Sequence, residues 1–234
     1  MKPHDTPPRP LPTRMVYRAP KLSAPPTLDG DWDKPVWHPA PVAVLENYMG
    51  ERPAHFPHTE FRVAYDMEAI YIIFRTADRY VRAVAEKEFD GPVYKDSCVE
   101  FFFTPGPDTN IGYFNLEMNC GGSLLFHWQT LPRQGQQISI ADCARITKFH
   151  QLPRIVNPEI TTPTVWTVEY RLPLEIISRY MPKMTAPKPG VLWRANFYKC
   201  GDDTSHPHWL TWAPVDFPRP DFHRPESFGW LEFV

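Results

Sequence analysis

The sequence predicts an all-β fold, two antiparallel sheets packed face to face as a sandwich with at most one short helix. Three observations predict it. The 234 residues include 29 prolines against 11 glycines, with 14% aromatics, a mixture that interrupts helices and favours short strands joined by rigid turns. Apolar residues recur with period two over strand-length runs. Strand patterns do not alternate with helical ones, so parallel βαβ units are not expected. Hydrophobic residues at 42% against 22% charged supply apolar material for a sizeable core, and the length suits one large β domain.

In chain order, residues 1–13 hold five prolines and no apolar pattern, so they are expected as an extended N-terminal arm, with a single sandwich domain over residues 14–234. Residues 17–33 read as an edge segment, a proline turn and a tight acidic turn, with Trp32 and Trp37 expected to cap one end of the core. Residues 59–65 and 69–75, separated by Asp66-Met67-Glu68, read as a hairpin in mid-sheet. The first strand alternates Phe61, Val63 and Tyr65 against Glu60 and Arg62, whereas the second is apolar on both faces and should be central. Residues 98–103 (CVEFFF), 113–119 (YFNLEMN) and 123–128 form a meander around a loop at 104–112. Residues 166–172, 191–198 and 227–234 supply the closing strands, and residues 173–180 (PLEIISRY) the short helix, with proline in its first turn. The total is roughly nine to eleven strands.

Lys plus Arg number 25 against 27 Asp plus Glu, a formal charge of −2. With no basic stripe, no nucleic-acid partner is expected. The N-terminus has no apolar h-region and no long apolar run follows, so neither an export signal nor a membrane span is read. As written the chain reads as cytoplasmic, and as secreted or periplasmic if a targeting segment is missing. Cys98, Cys120, Cys143 and Cys200 are widely spaced without a CxxC, a pattern compatible with two disulfides, one or none.

Three stretches, LDGDWDKPVW at residues 28–37, VYKDSCVEFF at 93–102 and DFHRPESFGWL at 221–231, together resemble the family 9 carbohydrate-binding modules and their relatives with the DOMON-like sandwich, an immunoglobulin-like, jelly-roll-type architecture. The second stretch, an aromatic lead into Asp-Ser-x-Glu and a strand, is the most specific. The resemblance implies a stand-alone module that binds a mono- or oligosaccharide without chemistry of its own. In the family the ligand is often the end of a glucan or xylan chain, cellulose among them, and members serve glycan catabolism beside a glycoside hydrolase. It implies a sugar held between two aromatic rings, here Tyr94 and Phe222, where the best-known pattern has tryptophan at both places. It also implies an acidic hydrogen-bonding residue, Glu100, a polar position on the next strand, Asn115, and calcium bracing loops away from the sugar.

A pyranose ring presents an apolar C–H face and a rim of hydroxyls, so a binder needs flat aromatic surfaces and a few fixed polar groups. Beside the two rings, Glu100 and Glu117 can accept hydroxyl protons, while Asn115, Arg194, Lys199 and His223 can donate. Trp166, Trp193 and Trp230 sit in strand patterns and are expected in the core. Trp209 and Trp212 lie three apart, so an extended chain turns them to opposite sides and at most one reaches the ligand; Trp212 is assigned to the site. His206 and His208 share a strand face without a third ligand nearby and read as a solvated loop. Asp29, Asp31 and Asp33, and Asp202 with Asp203, offer oxygen ligands for a structural calcium ion; the sequence determines no metal. No nucleophile elbow, phosphate loop or zincin motif is present, and no catalytic residue is assigned. Two alternatives stay open. One is a glycoside hydrolase using Glu100 and Glu117, whose carboxyls would have to lie about 5–5.5 or 6.5–9.5 Å apart. The other is a haem-binding domain using Met118 and His127, without a CxxCH.

Overall fold

The computed structural model describes residues 15–234; the expected arm over residues 1–13 lies outside the described residues. The first half of the chain runs through β1 (Val16–Ala19), β2 (Ala43–Val44), β3 (Asn47–Tyr48), β4 (His58–Tyr65), β5 (Ala69–Asp78), β6 (Val81–Ala83), β7 (Cys98–Thr104) and β8 (Tyr113–Asn119). The second half adds β9 (Leu124–Leu131), β10 (Gln134–Gln137), α1 (Ile140–Cys143), β11 (Thr147–His150), β12 (Val156–Ile160), β13 (Thr164–Pro173), α2 (Leu174–Tyr180), β14 (Leu192–Cys200), β15 (Trp209–Thr211) and β16 (Gly229–Phe233).

The larger sheet has the order β1-β16-β14-β7-β8-β9-β10, with β15 and β3 continuing from β14; the second has the order β11-β13-β5-β4-β2. Strands β6 and β12 pair apart from both. The all-β sandwich and its β7-β8-β9 meander therefore stand as the sequence predicts, and the β4–β5 hairpin sits inside its sheet. The pairings are antiparallel, save that β1 runs parallel to β16 at the sheet edge. The strands outnumber the expectation because two- to four-residue edge strands are too short to show a period. The helix begins one residue later than expected: Pro173 still pairs with Ala69 at the end of β13 and serves as the N-cap of α2. Helix α1 is a single turn that the sequence pattern does not show, capped by Ser139, whose side chain accepts from the Asp142 backbone N–H. Among the described residues no helix is long and apolar enough to cross a membrane.

Period two explains the layers. Val99, Phe101 and Phe103 of β7 and Phe114, Leu116 and Met118 of β8 face Phe61, Val63, Ile70, Ile72 and Phe74 of the other sheet in one buried core, while the intervening residues are turned outward. Phe61 of β4 stacks on Phe197 of β14 at 3.8 Å between ring centroids, joining the two layers; burying each such ring is worth about 1.5–3 kcal/mol.

The outer face of β5 is apolar too, and it needs a cover. Leu22, Trp32, Trp37 and Ala40 supply one over Ala64, Tyr71 and Ile73, so Trp32 and Trp37 roof the second sheet instead of capping the end of the main core. Buried Glu169 fixes this roof: it accepts from the backbone N–H groups of Asp29 and Gly30, from Lys34 at 2.8 Å and from the Trp37 indole at 2.9 Å. Gly30 is required there, because its φ of +73° is left-handed and a Cβ would lie 2.1 Å from the Phe149 ring. The LDGDWDKPVW stretch is thus a structural plug. Two of its acidic groups are satisfied from within, Asp29 by Lys34 at 2.7 Å, and Asp29 and Asp31 by the backbone N–H groups of Asp31 and Asp33.

Candidate functional site

The outward face of β7, β8, β9 and the end of β14 is polar where the inward face is aromatic, and loops rise around it to enclose a cavity of about 380 Å³. That volume falls in the usual range of small-molecule sites, roughly 300–1,000 Å³. Register makes the floor. Glu100 stands opposite Glu117 and Phe102 opposite Asn115 across β7–β8, and Asn115 stands opposite His127 across β8–β9. Three loops make the walls: the 3-10 turn Val93–Lys95 brings Tyr94, the turn after β14 brings Asp202, and the segment before β16 brings Pro220, Asp221, Phe222 and His223.

The floor is one hydrogen-bonded row. Gln129 Nε2 donates to Asn115 Oδ1 at 3.0 Å, Asn115 Nδ2 donates to Glu117 Oε1 at 2.9 Å, and the Cys200 thiol donates to Glu100 Oε1 at 3.1 Å. The far oxygens Glu117 Oε2 and Gln129 Oε1 are buried with no protein partner. Burial, reinforced by the nearby Cys200 and Glu117, pushes Glu100 well above the usual carboxylate range. Burial likewise pushes Glu117 up to about 7, against the bond from Asn115. In the wall, burial pushes Asp202 up to about 6 although Trp209 Nε1 donates to it at 2.7 Å. Burial, with Arg133 beside it, pulls His223 down to about 4, so its ring is neutral at pH 7 and shares a 2.7 Å hydrogen bond with the Tyr113 hydroxyl.

Six of the nine residues assigned from sequence meet here: Tyr94, Glu100, Asn115, Glu117, Phe222 and His223. Phe222 lies flat on Tyr198, centroids 4.1 Å apart and planes within 12°, which holds one face of the ring. Tyr94 is 39% exposed at the rim.

The other three do not reach the cavity. Lys199 shares the inward parity of Trp193, Ala195 and Phe197, so it is buried between the sheets. There it lies 3.4 Å from the Asp78 carboxylate and donates to His208 Nε2 at 2.6 Å. Trp212 is in the core, edge-on to Phe61. Arg194 faces outward but at the far end of β14, where it donates to the carbonyls of Phe228 and Gly229. His208 is likewise no part of a solvated loop: burial and the adjacent Lys199 pull it down to about 3. Its neutral ring accepts from Lys199 and donates through Nδ1 to the His206 carbonyl at 2.9 Å. The haem alternative fails on parity, because Met118 is buried in the inter-sheet core while His127, on the opposite face, bonds Asp90. All four cysteines are free thiols.

Sequence reasoning missed Trp209, Gln129, Arg133 and Asp202, all of which line the cavity. Trp209 is the member of the tryptophan pair that turns outward. Gln129 was available from parity, two residues beyond His127 on β9. Arg133, in the turn between β9 and β10 and paired with Asp221 at 2.9 Å, is placed by tertiary structure alone.

Sandwich, outward polar row and aromatic-walled cavity together define a β-sandwich binding module. The family model for Carbohydrate-binding family 9 matches residues 39–233, and the chain belongs to that family. No curated protein matches it. Among solved structures, a proposed carbohydrate-binding protein from Bacteroides uniformis is similar with a TM-score of 0.83 at 27% identity, over 95% of this chain and 100% of that one. Two structures of a family 9 carbohydrate-binding module from Caldicellulosiruptor kristjanssonii share the fold. The one in complex with glucose has a TM-score of 0.62 at 15% identity, over 93% of this chain and 95% of that one. The one in complex with cellotriose has a TM-score of 0.61 at 14% identity, over 94% and 93%.

Proposed function

We propose that the protein is a non-catalytic saccharide-binding module that takes the end of a glucan or xylan chain into the cavity above β7, β8 and β9, as a single sandwich domain working beside a polysaccharide-processing enzyme. The observation that carries this reading is the floor. Glu117 Oε2 and Gln129 Oε1 are buried polar oxygens without a partner, at the foot of a cavity whose walls include the rings of Tyr94, Trp209 and Phe222. Leaving such groups unpaired costs about 1–3 kcal/mol each; hydroxyls on the rim of a sugar, which both donate and accept, would satisfy them while its C–H faces lie against the rings. Loops carrying Tyr94, Asp202 and Phe222 around the cavity favour a chain end over a through-running polymer. The relatives solved with glucose and cellotriose support the same ligand class.

Glu100 and Glu117 act in this reading as hydrogen-bonding groups. They stand side by side on adjacent strands and both are held toward the neutral acid. Glycoside hydrolysis instead places two carboxyls on either side of the scissile bond, one of them ionised.

Calorimetric titration with glucose, cellobiose, xylose and xylobiose tests the proposal. Wild-type protein should give micromolar-to-millimolar binding, and Tyr94→Ala or Phe222→Ala should weaken it about tenfold, as loss of a ring contact worth about 0.5–1.5 kcal/mol plus its buried area implies. No heat with any of the four sugars, from folded protein, would overturn it.

A further inference from the structure

At and just beneath the cavity floor, two thiols that the saccharide reading does not use stand beside Glu100, which it does. Cys98 and Cys200 stand directly opposite each other where β7 pairs with β14, and Glu100 follows two residues after Cys98 on the same face. The three residues are buried, and one ligand atom from each, two sulfurs and a carboxylate oxygen, lies within 4.8 Å of the others. Among the described residues no other group of three His, Cys, Asp or Glu meets that separation. Two sulfurs bound at about 2.3 Å to a tetrahedral ion are about 3.8 Å apart, so the side chains need shift little to share one. The basic side chains around the floor are engaged elsewhere: Lys199 with Asp78, Arg133 with Asp221, and the His127 ring in a hydrogen bond with Asp90. Directly across from Glu100, Glu117 presents a buried oxygen with no partner. Two carboxyls and two thiols thus converge without a cation.

We propose that Cys98, Glu100 and Cys200 form a binding site for a thiophilic divalent cation of the zinc class, with the fourth coordination position open to the cavity. Thiolate ligands select Zn²⁺ or Cd²⁺ over Ca²⁺ or Mg²⁺. As the metal bonds form, each thiol releases its proton to solvent, and Glu100, held toward the neutral acid in the free protein, releases its own and binds as the carboxylate. The ion's two positive charges offset the two thiolates, and no electron is transferred. The site stands independently of the saccharide reading but shares Glu100 with it, so the two ligands compete.

Titration of the full-length, reduced protein with Cd²⁺, followed by the thiolate-to-cadmium charge-transfer absorption, tests the assignment. One ion per chain should bind with the intensity of two thiolates. The band should be lost in Cys98→Ser and in Cys200→Ser, and kept in Cys120→Ser and Cys143→Ser; Glu100→Gln should bind at least tenfold more weakly. A ¹¹³Cd resonance of the wild-type protein gives the same answer without any variant: a two-sulfur shift supports the site, and an oxygen-only shift overturns it. Absence of the band, or its survival in both Cys98→Ser and Cys200→Ser, would also overturn it. Cys98 does not line the cavity, so Cys98→Ser in chelator should bind glucose as wild type does. Saturating Cd²⁺ should weaken glucose binding in wild type and leave it unchanged in Cys98→Ser. A cadmium band with no sugar heat would retire the saccharide reading and keep the metal site; sugar heat with no cadmium band would do the reverse.

Discussion

Replacing Glu117 by glutamine isolates the electrostatics of the cavity floor. Burial raises this carboxyl from 4.5 to about 7, which means that the folded protein holds the proton more tightly than the unfolded chain does. The corresponding stabilisation is fully present below about pH 4.5 and is lost as pH rises through about 7. At about 1.36 kcal/mol per pH unit, the interval from 4.5 to 7 corresponds to about 3 kcal/mol, most of it lost between about pH 5 and pH 8. Glutamine has the same shape, can still accept from Asn115, and has no proton to lose. Urea unfolding of wild type and Glu117→Gln at both pH values should therefore show the variant gaining about 2–3 kcal/mol on wild type between about pH 5 and pH 8, with unchanged m-values. Relief of Glu100, which Glu117 also pushes up, acts in the same direction. An equal stability difference at both pH values would refute the claim that this carboxyl is buried without compensation.

Three further outcomes follow from the same geometry. Trp209→Ala should weaken saccharide binding about tenfold with a small stability change, whereas Trp212→Ala should cost about 3–5 kcal/mol in chemical denaturation as a core truncation. Lys199→Ala strands the buried Asp78 carboxylate and should cost about 3–5 kcal/mol in the same assay while leaving saccharide affinity of the folded fraction unchanged. His208, pulled down to about 3, contributes stability that is present above about pH 6.5 and is lost as pH falls toward 3; an acid titration followed by circular dichroism should show His208→Gln unfolding at a lower pH than wild type.

How much of this was legible depended on whether period two had room to act. The strands β4, β7, β8, β13 and β14 are seven to ten residues long and show themselves by alternation, β5 by its continuous apolar run, and with them come Glu100, Asn115 and Glu117 on one face. The 93–102 and 221–231 stretches placed Tyr94, Phe222 and His223 through their resemblance to a family pattern. Lys199 illustrates a different failure. Its parity, two residues beyond Phe197, points inward, yet a lysine is ordinarily a surface residue; only Asp78 of the opposite sheet and a neutral His208 make an inward lysine tolerable, and neither pairing is local. The spacing of Trp209 and Trp212 showed that they part company but not which turns outward, because that depends on where the chain enters β15. Arg133 sits at a left-handed φ of +60° in a turn whose direction no pattern specifies.

The placement of the site on the outer face of the central strands has a physical logic. Strands β7 and β8 are hydrogen-bonded on both sides, so the backbone positions of Glu100, Asn115 and Glu117 are set by two neighbouring ladders and cannot drift as loop residues do. The same strands present to the core an aromatic column, Phe101 on Phe103 at 4.4 Å and Phe103 on Trp193 at 5.5 Å, whose burial does not depend on what the outer face carries. The two faces are therefore energetically separable: substitutions on the floor alter ligand chemistry and the cost of buried polar atoms, while the sandwich is held by the inward residues. Such a division lets the floor hold two facing carboxyls, Glu100 and Glu117, without disturbing the core. It predicts that exchanging the amides Asn115 and Gln129 for other polar side chains of similar size moves affinity far more than melting temperature, whereas any polar residue at Phe101 or Phe103 unfolds the protein.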